Sequence, residues 1–269
     1  MIIEVSSVDD PRLVDYASLN NVETRREVER RGSFFIAESE LVIRELVRSR
    51  SRWPIRSVLV TPKRFEAMRD VLEDLDAAVF VGAMDVVREV TGFHIHRGAV
   101  ASAERGPLPA AADVLRGASR AVVLEGVSDH ENIGSIFRSA AAFGFDAVLL
   151  DAACADPLYR RSVRVSMGHI LHVPFARVSS LDEVRAAGLS VLALTPSADA
   201  VPLDEVAAAP PARCALVLGA EHPGLSASWL AAADRRVRIP IAAGVDSLNV
   251  SVAAAVAMHR LAMFPSATS

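Results

Sequence analysis

Cysteine is scarce in this chain of 269 residues: Cys154 and Cys214 lie far apart and belong to no Cys-x-x-Cys or Cys/His grouping. Neither a disulfide framework nor a structural zinc site is indicated, and both residues read as small core side chains. No apolar run approaches the roughly 18 residues that a membrane span requires. The opening MIIEVSSVDDPRL lacks the basic start and apolar stretch of a secretory signal, so a cytoplasmic location is expected. An overall excess of positive charge is missing as well. The formal net charge of −4 argues against nucleic-acid binding by bulk electrostatics. Seven histidines (His94, His96, His130, His169, His172, His222 and His259) form no His-Glu-x-x-His or comparable ligand set, and no metal is expected. The glycine fingerprint of dinucleotide sites and the Gly-Lys-Ser/Thr of a P-loop are both absent.

What is present is 51% hydrophobic and 23% charged residues, the make-up of a globular chain with a substantial core, long enough for one large domain or two small ones. Charge is distributed unevenly. Between positions 19 and 64 lie Arg25, Arg26, Arg30, Arg31, Arg44, Arg48, Arg50, Arg52, Arg56, Lys63 and Arg64. Against these 11 cations stand six glutamates, an excess of 11 − 6 = +5. Solvated helix faces account for it; because arginine dominates, and its planar fork suits phosphates and stacked bases, the alternative is an RNA-facing surface. The Gly, Pro and Ala-rich stretch 101–120 reads as a linker. Before it, the runs FFIAE, IRSVLV, AVFVG and GAVASA alternate with helical patterns, a small α/β layer structure.

After it, AVVLEGV, DAVLLD, HVPFARV, SVLALTP, CALVLGA and RVRIPI are near-continuous apolar runs of strand length. Runs apolar on both faces predict a parallel sheet covered by helices on both sides, with ligands gathered beyond the carboxyl ends of the strands. Three loops there carry polar residues. The first, SDHENIGSIFRSAAAFGF, places Asn132 at the mouth of a helix, where it could be a plain N-cap, and Arg138 on its second turn, where it could be a surface arginine. The second, VLGAEHPGLSASWL, surrounds Glu221 with Gly219 and Gly224, which permit close backbone approach, and Pro223, which stiffens the turn. The third, AAGVDSLNVSVAA, puts Ser247, Asn249 and Ser251 at a helix start.

These three segments in this order, Asn132-x-Gly134 with Arg138, Gly219-Ala-Glu221-x-x-Gly224-Leu225, and Ile239-Pro-Ile241 followed by Ser247-Leu-Asn-Val-Ser251, resemble the three motifs of the SpoU/TrmH-type RNA 2'-O-ribose methyltransferases of the SPOUT class. The resemblance spans roughly residues 121 to 264. VRVSMGHILHVPF is similar to the intermediate strand region of that family. The family pattern is broken at His222 and Pro223, where many members have Gly and a small or acidic residue; Pro223 removes one backbone N–H.

The resemblance implies an α/β fold with an L30e-like substrate-binding domain over residues 1–105, a linker over 106–118, and a methyltransferase domain with a parallel sheet and a deep trefoil knot over 119–269. It implies S-adenosyl-L-methionine as cofactor, RNA as substrate with ribosomal RNA favoured over tRNA, and a homodimer with the active site near the subunit interface. By position, Asn132, Arg138, Glu221, Ser247 and Asn249 would handle substrate and catalysis. Leu194, Thr195, Gly219, Ile239, Ile241, Leu248 and Asn249 would hold the cofactor. Arg138 would lower the pKa of the 2'-hydroxyl and hold the adjacent phosphate, since a protonated guanidinium has no acceptor, and Glu221, a phosphate oxygen or water would take the proton. His130 and His222 in the motif loops and Arg160, Arg161 and Arg164 are candidates for RNA contact beside their reading as ordinary polar surface. A tRNA methyltransferase and a catalytically silent RNA-binding assembly factor are the alternatives.

Overall fold

The computed structural model describes residues 1–17, 19, 28–29, 32–92 and 98–262. Arg25, Arg26, Arg30 and Arg31 of the basic stretch, and the pair His94/His96, lie outside the described residues. Along the chain run β1 (Ile2–Val5), a 3-10 turn (Pro11–Tyr16), β2 (Phe34–Glu38), α1 (Glu40–Arg48), β3 (Ile55–Val60), α2 (Pro62–Ala67), α3 (Arg69–Leu72), β4 (Ala78–Gly82), α4 (Met84–Thr91) and β5 (Ala99–Glu104). Next come α5 (Ala111–Leu115), β6 (Arg120–Glu125), α6 (His130–Ala142), β7 (Ala147–Leu150), α7 (Arg160–Val165), β8 (Phe175–Arg177), α8 (Leu181–Ala186) and β9 (Ser190–Leu194). The chain continues with β10 (Val201–Pro202), α9 (Leu203–Ala208), β11 (Cys214–Gly219), α10 (Ala227–Ala232), β12 (Arg235–Arg238) and α11 (Val250–Leu261). Among these helices none is long and apolar enough to cross a membrane.

Two compact units result, one of residues 1–107 with 158–172, the other of 108–157 with 173–269. The first carries a mixed sheet in the order β1-β4-β3-β5-β2, with β5 antiparallel to both neighbours. Its core joins Leu13, Tyr16, Phe34, Ile36, Leu59, Phe80, Val87 and Val100. The Tyr16 hydroxyl shares a 2.7 Å hydrogen bond with Ser57, and burial holds its ionisation well above the usual phenol range.

The stretch VRVSMGHILHVPF, expected as an intermediate strand region, instead ends α7 and forms a 3-10 turn before it reaches β8, and the segment 158–172 packs with the first unit. Its anchors are polar and specific. Arg160 donates to the buried Glu38 carboxylate at 2.9 Å, Arg164 lies 3.5 Å from the same group, and Trp53 Nε1 donates to the Leu171 carbonyl at 2.9 Å. In the described part of the basic stretch, Arg44 pairs with Asp70 and Glu40, Arg48 with Glu45, Arg56 with Asp15 and Arg64 with Glu40. Much of that positive charge is therefore neutralised within the unit itself.

The second unit is built on a seven-stranded sheet in the order β10-β12-β9-β11-β6-β7-β8, parallel at every pairing. β6, β7 and β11 are aliphatic at nearly every position and buried along almost their whole length, as strands covered on both faces must be. The expected linker is more ordered than its composition implies: α5 lies inside it, and Ala111, Leu115 and Ala118 belong to the core of this unit. Alanine and glycine hid the helical spacing there. From β6 the chain moves outward through β7 and β8, then returns on the other side, where β11 inserts between β9 and β6. That reversal brings the carboxyl ends of β6, β9 and β11 to one rim, the position where open α/β sheets bind ligands.

Candidate active site

The helix that follows β6 starts with Asp129 as its N-cap, the carboxylate accepting from the Glu131 N–H at 2.6 Å. Asn132 is therefore not the cap. It lies in the first turn, buried, with its side chain free to reach across to the loop after β11. Asn132 Nδ2 donates to Glu221 Oε1 at 3.2 Å. From the start of α11, Asn249 Nδ2 donates to the same oxygen at 2.7 Å and to Asn132 Oδ1 at 3.0 Å. Asn249 is at the same time the N-cap of α11: its Oδ1 accepts from the N–H groups of Ser251 and Val252 and from the Ser251 hydroxyl. One amide thus terminates a helix with its oxygen and grips a carboxylate with its nitrogen. The beginnings of α6 and α11 both meet the Glu221 carboxylate, and partial positive charge at helix N-termini favours an anion there.

Asn249→Asp separates these two duties, since an aspartate keeps the cap acceptor but sets a second carboxylate against Glu221. The repulsion exists only when both are ionised, so stability is retained at low pH and lost as pH rises. The variant is expected to be about 1 kcal/mol less stable than the parent at pH 7, a modest figure because the pair is exposed, with the deficit shrinking toward pH 4. Urea denaturation at the two pH values checks this; an equal deficit at both would mean that charge repulsion contributes nothing, and no deficit at either that the amide nitrogen carries no weight.

Beside this cluster lies a cavity of about 270 Å³. Leu194 and Thr195 come from the end of β9, Leu218 to Leu225 (apart from His222) from β11 and its loop, and Ile239, Ile241, Ser247, Leu248, Val250 and Ala253 from the segment around the start of α11. Of the residues expected to hold a cofactor, Leu194, Thr195, Gly219, Ile239, Ile241 and Leu248 line this one space; Asn249 does not, being turned to Glu221. Gly219 is required by close approach, because a Cβ there would come within 2.3 Å of the Gly224 carbonyl carbon and the Leu225 nitrogen. The lining contains no Arg, Lys or His, and Glu221 is its one charged group.

Of the five residues expected to act on substrate, the fold brings Asn132, Glu221 and Asn249 into one hydrogen-bonded cluster. Ser247 joins the cavity wall but bonds to none of the three. Arg138 stands apart. It is exposed on α6 and has no hydrogen bond or ion pair among the described residues. Six positions beyond Asn132, it points about 240° around the helix from it, a different face. Two residues that spacing did not mark also belong here: Glu125 at the end of β6 and Ser226 at the end of the β11 loop, joined by hydrogen bonds.

Comparison with known proteins bears on this arrangement. Residues 119–259 match the SpoU rRNA Methylase family. The chain is 45% identical over 261 residues to an uncharacterized tRNA/rRNA methyltransferase of Mycobacterium tuberculosis, covering 95% of this chain and 90% of that one. Over 150 residues it is 32% identical to the 23S rRNA (guanosine(2553)-2'-O)-methyltransferase RlmP of Bacillus subtilis, 55% of this chain and 59% of that protein. Its fold is similar to the AdoMet-bound rRNA methyltransferase from Sinorhizobium meliloti, with a TM-score of 0.81, 26% identity and 97% of each chain covered. The fold class is that of the SPOUT methyltransferases. The chain belongs to the SpoU rRNA Methylase family.

Proposed function

We propose that this chain transfers a methyl group from S-adenosyl-L-methionine to a ribose 2'-hydroxyl of RNA, with ribosomal RNA the favoured substrate. The observation that carries the reading is the pairing of an amide-held carboxylate with an adjoining cavity whose walls are otherwise uncharged. A cavity with aliphatic walls, small residues at Gly219, Ala220, Gly224 and Ala253, one carboxylate and no cationic side chain fits a ligand with a flat ring system and a positive centre. The relative from Bacillus subtilis, named for 2'-O-methylation of 23S rRNA, and the neighbour from Sinorhizobium meliloti, an rRNA methyltransferase with AdoMet bound, support the substrate and the cofactor.

When bound, the cofactor supplies a methyl carbon already activated by its sulfonium. Alignment then falls to the protein, and in-line displacement is steeply sensitive to it. Leu194, Ile239, Ile241 and Leu248 would exclude water from the reacting centre, which favours a step that disperses charge. Arg138, protonated and without an acceptor, would donate to a phosphate and to the ribose hydroxyl, lowering the hydroxyl's pKa. Asn132 and Asn249 occupy Glu221 Oε1, which leaves Oε2 as the oxygen available to receive a proton. In this reading the segment between β12 and α11 is the threaded part of the knot, residues 1–105 form the RNA-binding domain, and the work is cytoplasmic.

A homodimer brings Arg138 into use, since its own helix turns it away from Asn132. The exposed side of α11 supports one: Val252 and Val256, one helical turn apart, are 49% and 39% exposed. Replacing both by Glu is expected to convert the dimer into a species of one chain, 28.7 kDa, in light scattering after gel filtration. A parent chain that is already monomeric would remove the dimer from the reading.

Incubation with labelled S-adenosyl-L-methionine and separated rRNA or tRNA, followed by mapping of 2'-O-methyl positions, tests the function directly. Label in rRNA at a ribose is the expected result. Label confined to tRNA would move the substrate, and a chain that binds RNA but no cofactor in calorimetry would be a silent assembly factor.

A further inference from the structure

We propose that Glu125 is a positioning residue that clamps the loop 219–226 onto the sheet and thereby sets both Glu221 and one wall of the cavity. β6 and β11 pair in register up to a last rung, Glu125 opposite Gly219. From that rung the β11 chain leaves the sheet, and it comes back to the same place. The Gly224–Leu225 peptide lies against Gly219, so close that a Cβ would overlap it. Ser226 then reaches the Glu125 side chain with two bonds, its N–H to Oε2 at 2.8 Å and its hydroxyl to Oε1 at 2.6 Å. The loop therefore starts opposite Glu125 and ends on its carboxylate.

A carboxylate takes the two bonds on separate oxygens, with no donor of its own facing either. The Ser226 hydroxyl spends its single proton on Glu125 and still accepts from the Trp229 N–H at 3.3 Å as the N-cap of α10, so the bond directions are fixed. Between the two anchors stand Glu221, gripped from the other side by Asn132 and Asn249, and the cavity-lining Ala220, Gly224 and Leu225. Neither Asn132 nor Asn249 can hold Glu221 in place if the loop that carries it is untethered. Glu125 touches neither cavity nor cluster; it acts through Ser226.

The binding consequence rests on the cofactor reading above, whereas the clamp itself does not, and the experiment separates them. Amide hydrogen exchange of the unliganded full chain and calorimetry with S-adenosyl-L-methionine are compared for the parent, Glu125→Gln, Ser226→Ala, the double variant, and Glu205→Gln as an exposed control. Glutamine keeps one acceptor but turns an amide donor toward one of the two donors of Ser226. Each single variant is expected to speed exchange across 219–226 about tenfold, leave the interiors of β6 and β11 unchanged, and weaken cofactor binding about 5- to 20-fold with RNA affinity unaltered. The double variant should lose less than the product of the two single losses, since the bond between hydroxyl and carboxylate is lost only once. Unchanged loop exchange in Glu125→Gln, or losses that multiply in the double variant, would overturn the clamp. A parent chain without cofactor affinity would sink the cofactor reading, and the exchange data would still decide for or against Glu125. Should Glu125→Gln not fold, Ser226→Ala removes the hydroxyl bond from the other side and leaves the N–H bond in place.

Discussion

Replacing Arg120 by Met is expected to cost about 3 kcal/mol of stability, more than any substitution at the cavity, and to lower the unfolding temperature by roughly 6–12 °C. Arg120 opens β6 and is only 3% exposed. Its Nε donates to the carbonyl of Leu261, the last residue of α11, at 3.0 Å, and its Nη1 donates to the carbonyls of Ser119 and Ala212 at 3.0 and 2.9 Å. The last turn of a helix leaves carbonyls without intrahelical partners, and a cation there is doubly favourable. Methionine fills much of the volume but takes the guanidinium donor from the carbonyls of Leu261 and Ala212, each loss costing about 1–2 kcal/mol, while the Ser119 carbonyl keeps the Cys214 N–H. Lysine should recover less than half of the loss, because a single ammonium cannot reproduce the spread of the guanidinium. Urea denaturation of the three proteins measures it; a loss under about 1 kcal/mol for Met would mean that Ala257, Met258 and Leu261 hold the helix end by packing alone.

The same residue links stability to the site. α11 is tied at its C-terminal end by Arg120 and carries Asn249 at its other end, so the helix acts as a strut between the amino edge of the sheet and the rim where Glu221 lies. α6 runs beside it, with Phe143 at one end of the pair in edge contact with His259 and Asn132 at the other end bonded to Asn249. Loosening either end should be felt at the carboxylate.

Much of this architecture was legible beforehand because strands buried on both faces read as unbroken apolar runs; β6, β7, β9 and β11 announce themselves in that way. β1 and β10 were missed for the opposite reason. Ile2 is exposed at 47%, so β1 lacks a consistent apolar face, and β10 is two residues long with a proline. The strand expectation for VRVSMGHILHVPF came from its likeness to a family region and from no periodicity of its own, and Ser162 and Val163 are buried side by side as helix neighbours. Within the site, Asn132, Glu221 and Asn249 are separated by 89 and 28 positions, and no local rule brings them together; only their place in an ordered family pattern did. The chain has four asparagines in all, and two of them converge on one oxygen. Asp129 could have been found as a cap, standing directly before the helical pattern. Glu125 could not, since its partner is defined by a loop that folds back on the sheet.

Arg138→Ala should leave folding within about 0.5 kcal/mol of the parent, because the side chain is exposed and unpaired among the described residues. Methyl transfer, by contrast, should fall at least 100-fold, the range found when one donor aimed at developing negative charge is removed. The two outcomes together distinguish a group kept for chemistry from one kept for structure. Arg138→Lys sharpens the point: lysine restores the charge but not the fork, so it should recover less than a tenth of the lost rate if a phosphate oxygen and the ribose oxygen are held at once. Cofactor affinity should be unchanged in both variants, since Arg138 is not among the residues around the cavity. Single-turnover kinetics with labelled cofactor, read across pH, gives the answer. Near-parental turnover of Arg138→Lys with an unaltered pH profile would leave the guanidinium as a simple positive charge near the RNA, and the activation of the hydroxyl would then have to come from Glu221 alone.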